Sequence, residues 1–153
     1  MAAYFFDSSA LVKRYVTETG TAWVTGLLDP AARHRLYVAR ITGAEVIAAL
    51  ARKERGRHLS AADAASAISS FQHDYANRLR PVEITAALIV EAMALAQDHG
   101  LRGYDAVQLA AALYANRRRI ARHLALLVFV TADTDLLAAG AAEGLTVDDP
   151  NTH

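Results

Sequence analysis

The sequence contains no cysteine, so disulfides, thiol nucleophiles and zinc–thiolate centres are all excluded. Its longest apolar run, Leu124 to Ala132, is far short of the roughly 20 residues a membrane helix needs. No basic segment precedes the N-terminal aromatics, and Asp7 interrupts them too early for a signal peptide, so a cytoplasmic location is expected. Lysine is scarce: Lys13 and Lys53 stand against 14 arginines, whose planar guanidinium suits phosphate and carboxylate partners. Internal repeats, linkers and low-complexity segments are lacking, apart from a richness in alanine. What is present is a chain of 153 residues with 54% hydrophobic and 21% charged side chains. That balance excludes a disordered chain, and the length suits one domain over residues 1–153 with a substantial core.

Tyr4-Phe5-Phe6 has no polar relief and ends abruptly in Asp7-Ser8-Ser9. Such a run fits a strand buried on both faces, followed at once by a helix over Ser8 to Val16. A second helix runs through Trp23 to Leu28 and is stopped by Asp29-Pro30. Arg35 to Ala39 reads as a short strand, and Ile41-Thr42-Gly43-Ala44-Glu45 leads into a long helix ending near Gly56. Ser60-Ala61-Ala62-Asp63 has the spacing of a capping box and opens a helix to about Asn77. Leu79 to Ile84 contains Pro81, which confines it to a short or edge strand. Thr85 to His99 is helical and Gly100 caps it. Ala106 to Ala115 is apolar on almost every side, as expected of a helix in the centre of the fold, and Asp105 lies in its first turn. Leu126 to Thr131 is the clearest buried strand, Ala132 to Leu137 turns into a helix, and Leu145-Thr146-Val147 is a last short strand. Strands alternating with helices along the whole chain predict a three-layer α/β/α fold with a mainly parallel central sheet.

In parallel sheets ligands bind at the carboxyl ends of the strands. Taken singly, Asp7 and Asp133 are explained as helix caps, Asp105 as a partner of the helix dipole and Glu45 as a solvated helix residue. Jointly they are not, because all four fall at junctions that the α/β pattern places at one end of the sheet, inside otherwise apolar segments. Clustered carboxylates repel and raise one another's pKa values unless a cation joins them. Oxygen donors without neighbouring His or Cys favour a hard ion, Mg²⁺ or Mn²⁺, which polarises a phosphodiester and acidifies a bound water. Ser8, Ser9 and Thr131 add hydroxyls at the same edge, which serve equally well as cap or turn groups.

These segments resemble the PIN-domain family of metal-dependent ribonucleases, and within it the toxin subunits of VapBC type. Phe6-Asp7-Ser8-Ser9-Ala10-Leu11-Val12-Lys13 is similar to the family's opening motif and Thr42-Gly43-Ala44-Glu45-Val46 to its second. Tyr104-Asp105-Ala106-Val107-Gln108-Leu109-Ala110 resembles the third and Val130-Thr131-Ala132-Asp133-Thr134-Asp135-Leu136-Leu137 the fourth. The resemblance spans nearly the full chain. It implies an endoribonuclease in which Asp7, Glu45, Asp105 and Asp133 hold Mg²⁺ or Mn²⁺, with Ser9 and Thr131 in support and Asp135 as a supporting acid or dipole partner. It further implies an antitoxin protein that blocks the site, and a toxin homodimer.

Two basic clusters, Arg52 to His58 and Arg117 to His123, could carry an RNA backbone past the acids or simply end two helices favourably. Lys13 and Arg14 are further candidates for phosphate contacts. Trp23 and the tyrosines are assigned to the core, and the six histidines, none at metal-like spacing, to the surface. Helices over Val16 to Leu28 and Val46 to Ala51 offer apolar faces that suit a partner helix or the core. A receiver-like signalling module would need a lysine after Val130, and an aspartyl phosphatase a second acid where Ser9 stands. The remaining alternative is a non-catalytic binding or regulatory module on the same fold.

Overall fold

A computed structural model of the chain describes residues 1–153. Five strands form one sheet: β1 (Ala3–Phe6), β2 (Arg35–Ala39), β3 (Leu79–Val82), β4 (Leu127–Val130) and β5 (Thr146–Asp148). Their order is β3-β2-β1-β4-β5, and every pairing is parallel. The helices are α1 (Ser8–Leu11), α2 (Thr21–Leu27), α3 (Thr42–Arg55), α4 (Ala61–Asn77), α5 (Ala86–His99), α6 (Gly103–Ala121) and α7 (Thr134–Ala142). The architecture is the α/β/α sandwich that the alternating pattern predicts.

Because side chains alternate across a strand, neighbouring residues of β1 feed two different cores. Phe5 packs edge-on against Phe129 and joins the layer of α5, α6 and α7. Phe6 and Val130 turn the other way, toward Leu11, Val24, Val46, Leu50 and Phe71 of the opposite helices. All three phenylalanines of β1 and β4 are fully buried, each contributing about 1.5–3 kcal/mol by transfer from water. These strands therefore fix the sheet, and the register they set puts Phe6 opposite Val130.

Some boundaries differ from the sequence expectation. The helix expected over Ser8 to Val16 is one α-turn that tightens into a 3₁₀ turn at Val12–Arg14. β3 is an edge strand, where Pro81 removes no donor from the interior of the ladder. β5 sits one residue later than expected, at Thr146–Asp148. The faces of Val24, Leu27, Leu28, Val46 and Leu50 are buried in the core and form no open groove for a partner helix. No helix is long and apolar enough to cross a membrane.

Candidate active site

The central strands β1 and β4 deliver their next residues, Asp7 and Thr131, to the same level of the carboxyl edge. The Asp7 backbone N–H donates to the carbonyl of Val130 at 3.2 Å, and Thr131 N–H to that of Asp148 at 3.2 Å. Asp7 leaves the strand with extended dihedrals and caps α1, accepting from Ala10 N–H at 3.0 Å. Its carboxylate also accepts from Ser9 Oγ at 2.8 and 2.9 Å and from Thr131 Oγ1 at 2.8 Å. Both hydroxyls use their own lone pairs on the β4–α7 turn: Ala132 N–H donates to Ser9 and Asp133 N–H to Thr131, each at 3.1 Å. Asp7 is thus the anchor of a chain of hydrogen bonds that fastens the loop bearing Asp133.

The other acids come from helix starts. Asp133 caps α7 through Leu136 N–H at 2.9 Å, and exposed Asp135 lies in the same first turn. Asp105, in the first turn of α6, is half-buried. Glu45, in the first turn of α3, is gripped on both oxygens: Ser8 Oγ donates at 2.7 Å and Gln108 Nε2 at 2.9 Å. Gln108 also donates to Thr42 Oγ1 at 2.9 Å, tying α6 to α3 behind the acids.

Electrostatics reveals how close these groups are. Burial pushes the Asp7 carboxyl from an ordinary 3.8 up to about 6, against the bonds from Ala10, Thr131 and Ser9, and the charge of Asp105 pushes the same way. Asp105 is itself raised, by burial first and then by Asp133, with Arg102 opposing and Glu45 and Asp135 adding to the rise. Asp105 is therefore within electrostatic reach of the other four acids. None of them joins any of the chain's ion pairs.

An uncompensated, all-oxygen donor set fits a hard divalent cation. No three of these side chains stand close enough to enclose an ion by themselves, so an ion here would be held by one or two carboxylates and keep several waters. A groove of about 490 Å³ beside the acids is lined by Ser8, Ser9, Glu45, Arg52 and Tyr104, among others.

Several side chains differ from their expected places. Lys13 is buried and paired with Glu18 at 3.3 Å, and Arg14 turns to Asp74 at 3.8 Å, so neither faces the acids as a phosphate contact. Tyr104, assigned to the core with the other tyrosines, is 64% exposed beside Asp105. Its place immediately before a helix-start acid was the available signal. Gln108 was missed altogether, although it is the single polar residue in the run Ala106 to Ala112.

The PIN domain family's pattern matches residues 4–142, and the chain belongs to that family. It is 40% identical over 113 residues to Ribonuclease VapC49 of Mycobacterium tuberculosis, an alignment covering 74% of this chain and 76% of that protein. Ribonuclease VapC45 of the same species aligns equally well. Among solved structures, PAE2754 of Pyrobaculum aerophilum shares the fold with a TM-score of 0.62 at 22% identity, over 99% of this chain and 91% of that one.

Proposed function

We propose that this chain is an endoribonuclease dependent on Mg²⁺ or Mn²⁺, acting in the cytoplasm as the toxin of a toxin–antitoxin pair. Residues 1–153 would work as one unit, as a homodimer held in check by an antitoxin protein. The observation that carries the reading is the group of acids, Asp7, Glu45, Asp105, Asp133 and Asp135, gathered at one sheet edge with no cation paired to them. Identity of 40% to a protein named a ribonuclease supports the choice of RNA, and the strip of exposed Ile89, Val90 and Met93 on α5 supports self-association.

In this reading Asp7, Glu45, Asp105 and Asp133 would hold the ion, one or two of them directly and the others through its waters. The bound ion supplies positive charge that polarises the scissile phosphodiester and makes water acidic enough to react near neutral pH. The chain's own residues do the rest. Ser9 and Thr131 orient the Asp7 carboxylate, and their bonds to the ionised form keep it available near neutral pH although burial opposes ionisation. Ser8 and Gln108 fix both oxygens of Glu45, so that it meets the site in one orientation. Arg52 and Tyr104 line the adjoining groove, where a phosphate and a base of the strand would rest.

Induced expression in a bacterial host tests this. The chain should arrest growth and fragment cellular RNA, and Asp133→Asn, which keeps the α7 cap oxygen, should do neither. Equal arrest by both proteins, with intact RNA, would contradict the proposal.

A further inference from the structure

A second concentration of charge lies away from the acids. A cleft of about 310 Å³ opens between the edge strand β3, the start of α5 and the second half of α6. Arg80, Arg118, Arg119 and Arg122 line it with Tyr37 and Tyr114. None of these four arginines has a carboxylate partner, whereas nearby Arg117 and Arg40 are neutralised by Glu91 and Glu83. Glu83, the one acid on the cleft wall, is thereby already engaged. Four uncompensated cations around one concavity focus a positive potential in a chain whose net charge is zero.

Two of the guanidinium groups are held in place before any ligand arrives. Arg119 is 7% exposed; its Nε donates to the Ala125 carbonyl at 2.6 Å and its Nη1 to Tyr37 Oη at 3.1 Å, with the guanidinium 5.8 Å from the Tyr37 ring centre. Nη2 has no protein acceptor, yet the buried polar atoms without partners are only Arg14 Nε and Gln108 Oε1. Arg119 lines the cleft with that nitrogen unpaired within the chain. Arg118 Nη1 donates to Tyr114 Oη at 3.0 Å and lies 5.7 Å from that ring's centre. Arginines fixed on aromatic rings lose less rotamer freedom when they bind a phosphate.

The cleft shares α6 with the candidate active site. Thirteen residues separate Asp105 from Arg118, or about 20 Å at 1.5 Å per residue. The geometry points to this cleft as an exosite for single-stranded RNA, with Arg118, Arg119 and Arg122 on backbone phosphates several nucleotides from the scissile bond. Tyr114, 39% exposed, supplies a ring for a base between them. Alternation of cation and aromatic ring matches a strand that alternates phosphate and base better than it matches an acidic peptide. The inference rests on the ribonuclease reading for the identity of the polyanion.

The test is fluorescence anisotropy of a labelled mixed-sequence single-stranded RNA, titrated in EDTA over a salt series with the full chain and with Arg118→Ala/Arg122→Ala. Both side chains are exposed, so the double variant should fold normally. Single strands release about 0.7 counterion per phosphate contact, so the log–log salt slope should become shallower by about 1.4, equivalent to about 25-fold weaker binding at 0.1 M salt when referenced to 1 M. Arg→Lys at both positions should restore most of the slope. In Mn²⁺, KM for long RNA should rise with kcat unchanged, while cleavage of a trinucleotide too short to span both sites stays the same. Unchanged affinity and slope would overturn the exosite, as would a polyglutamate peptide showing the variant-sensitive binding that RNA lacks. Variant-sensitive RNA binding by a protein that never cleaves would keep the exosite and overturn the ribonuclease reading alone.

Discussion

Replacing Asp7 by Asn should make the metal-free protein more stable at neutral pH while abolishing its activity. A carboxyl whose pKa rises from 3.8 to about 6 on folding binds its proton more tightly in the folded state, so this group favours folding at low pH. The advantage is lost as pH rises from about 3.8 through 6, and above that the ionised group opposes folding by about 3 kcal/mol. Asparagine removes that charge and keeps the cap to Ala10 N–H. It gives up one acceptor oxygen, however, so a Ser9 or Thr131 hydroxyl facing the amide must accept from it and turn its own proton away from this acceptor, while still accepting from Ala132 or Asp133 N–H. One or two weakened hydrogen bonds cost about 1–2 kcal/mol. The balance at pH 7.5 in EDTA is a gain of about 1–2 kcal/mol, or roughly 2–6 °C in Tm for a chain of this size. At pH 5 only about half of the ionisation penalty remains, and the gain should fall to near zero. Thermal unfolding of both proteins at the two pH values measures this directly. Mn²⁺ should raise the Tm of the wild type and leave that of the variant unchanged. A variant less stable at pH 7.5, or a difference that does not move with pH, would refute the account of Asp7 as a buried, uncompensated acid.

Further outcomes follow from the same geometry. Gln108→Leu leaves Oε1 of Glu45 and Oγ1 of Thr42 without their donor, Ser8 alone still holding Glu45, and should lower Mn²⁺ affinity or cleavage by about 10–100-fold, read by calorimetric titration and turnover. Tyr104→Ala removes an exposed ring beside Asp105; stability should stay within about 0.5 kcal/mol, while RNA binding weakens by about 1–3 kcal/mol if a base stacks there. Phe129→Ala hollows the core under Phe5 and should cost about 3–5 kcal/mol in chemical denaturation.

The order of strands and helices was legible because buried parallel strands such as Tyr4 to Phe6 and Leu126 to Val130 read as unbroken apolar runs. Acids that end such runs stand out against them, which is why Asp7 and Asp133 could be picked from the sequence. Gln108 could not, since a lone amide in an alanine-rich helix looks the same whether it faces solvent or grips a carboxylate. The arginines were only partly legible for a related reason. A basic run shows the charges but not their partners, and only tertiary packing separates Arg117, neutralised by Glu91, from Arg118, Arg119 and Arg122, which are not. Lys13 was misplaced because the sequence does not show that the turn after Leu11 buries it beside Glu18.

The central claim is that the acids at the sheet edge form a metal-dependent site for cutting RNA. It is tested most directly by incubating purified protein with mixed RNA in Mg²⁺, Mn²⁺ or EDTA, beside Asp105→Asn prepared identically. The account predicts fragments with either metal, none in EDTA, and none from the variant. Cleavage that persists in EDTA, or that the variant performs as well as the wild type, would contradict it.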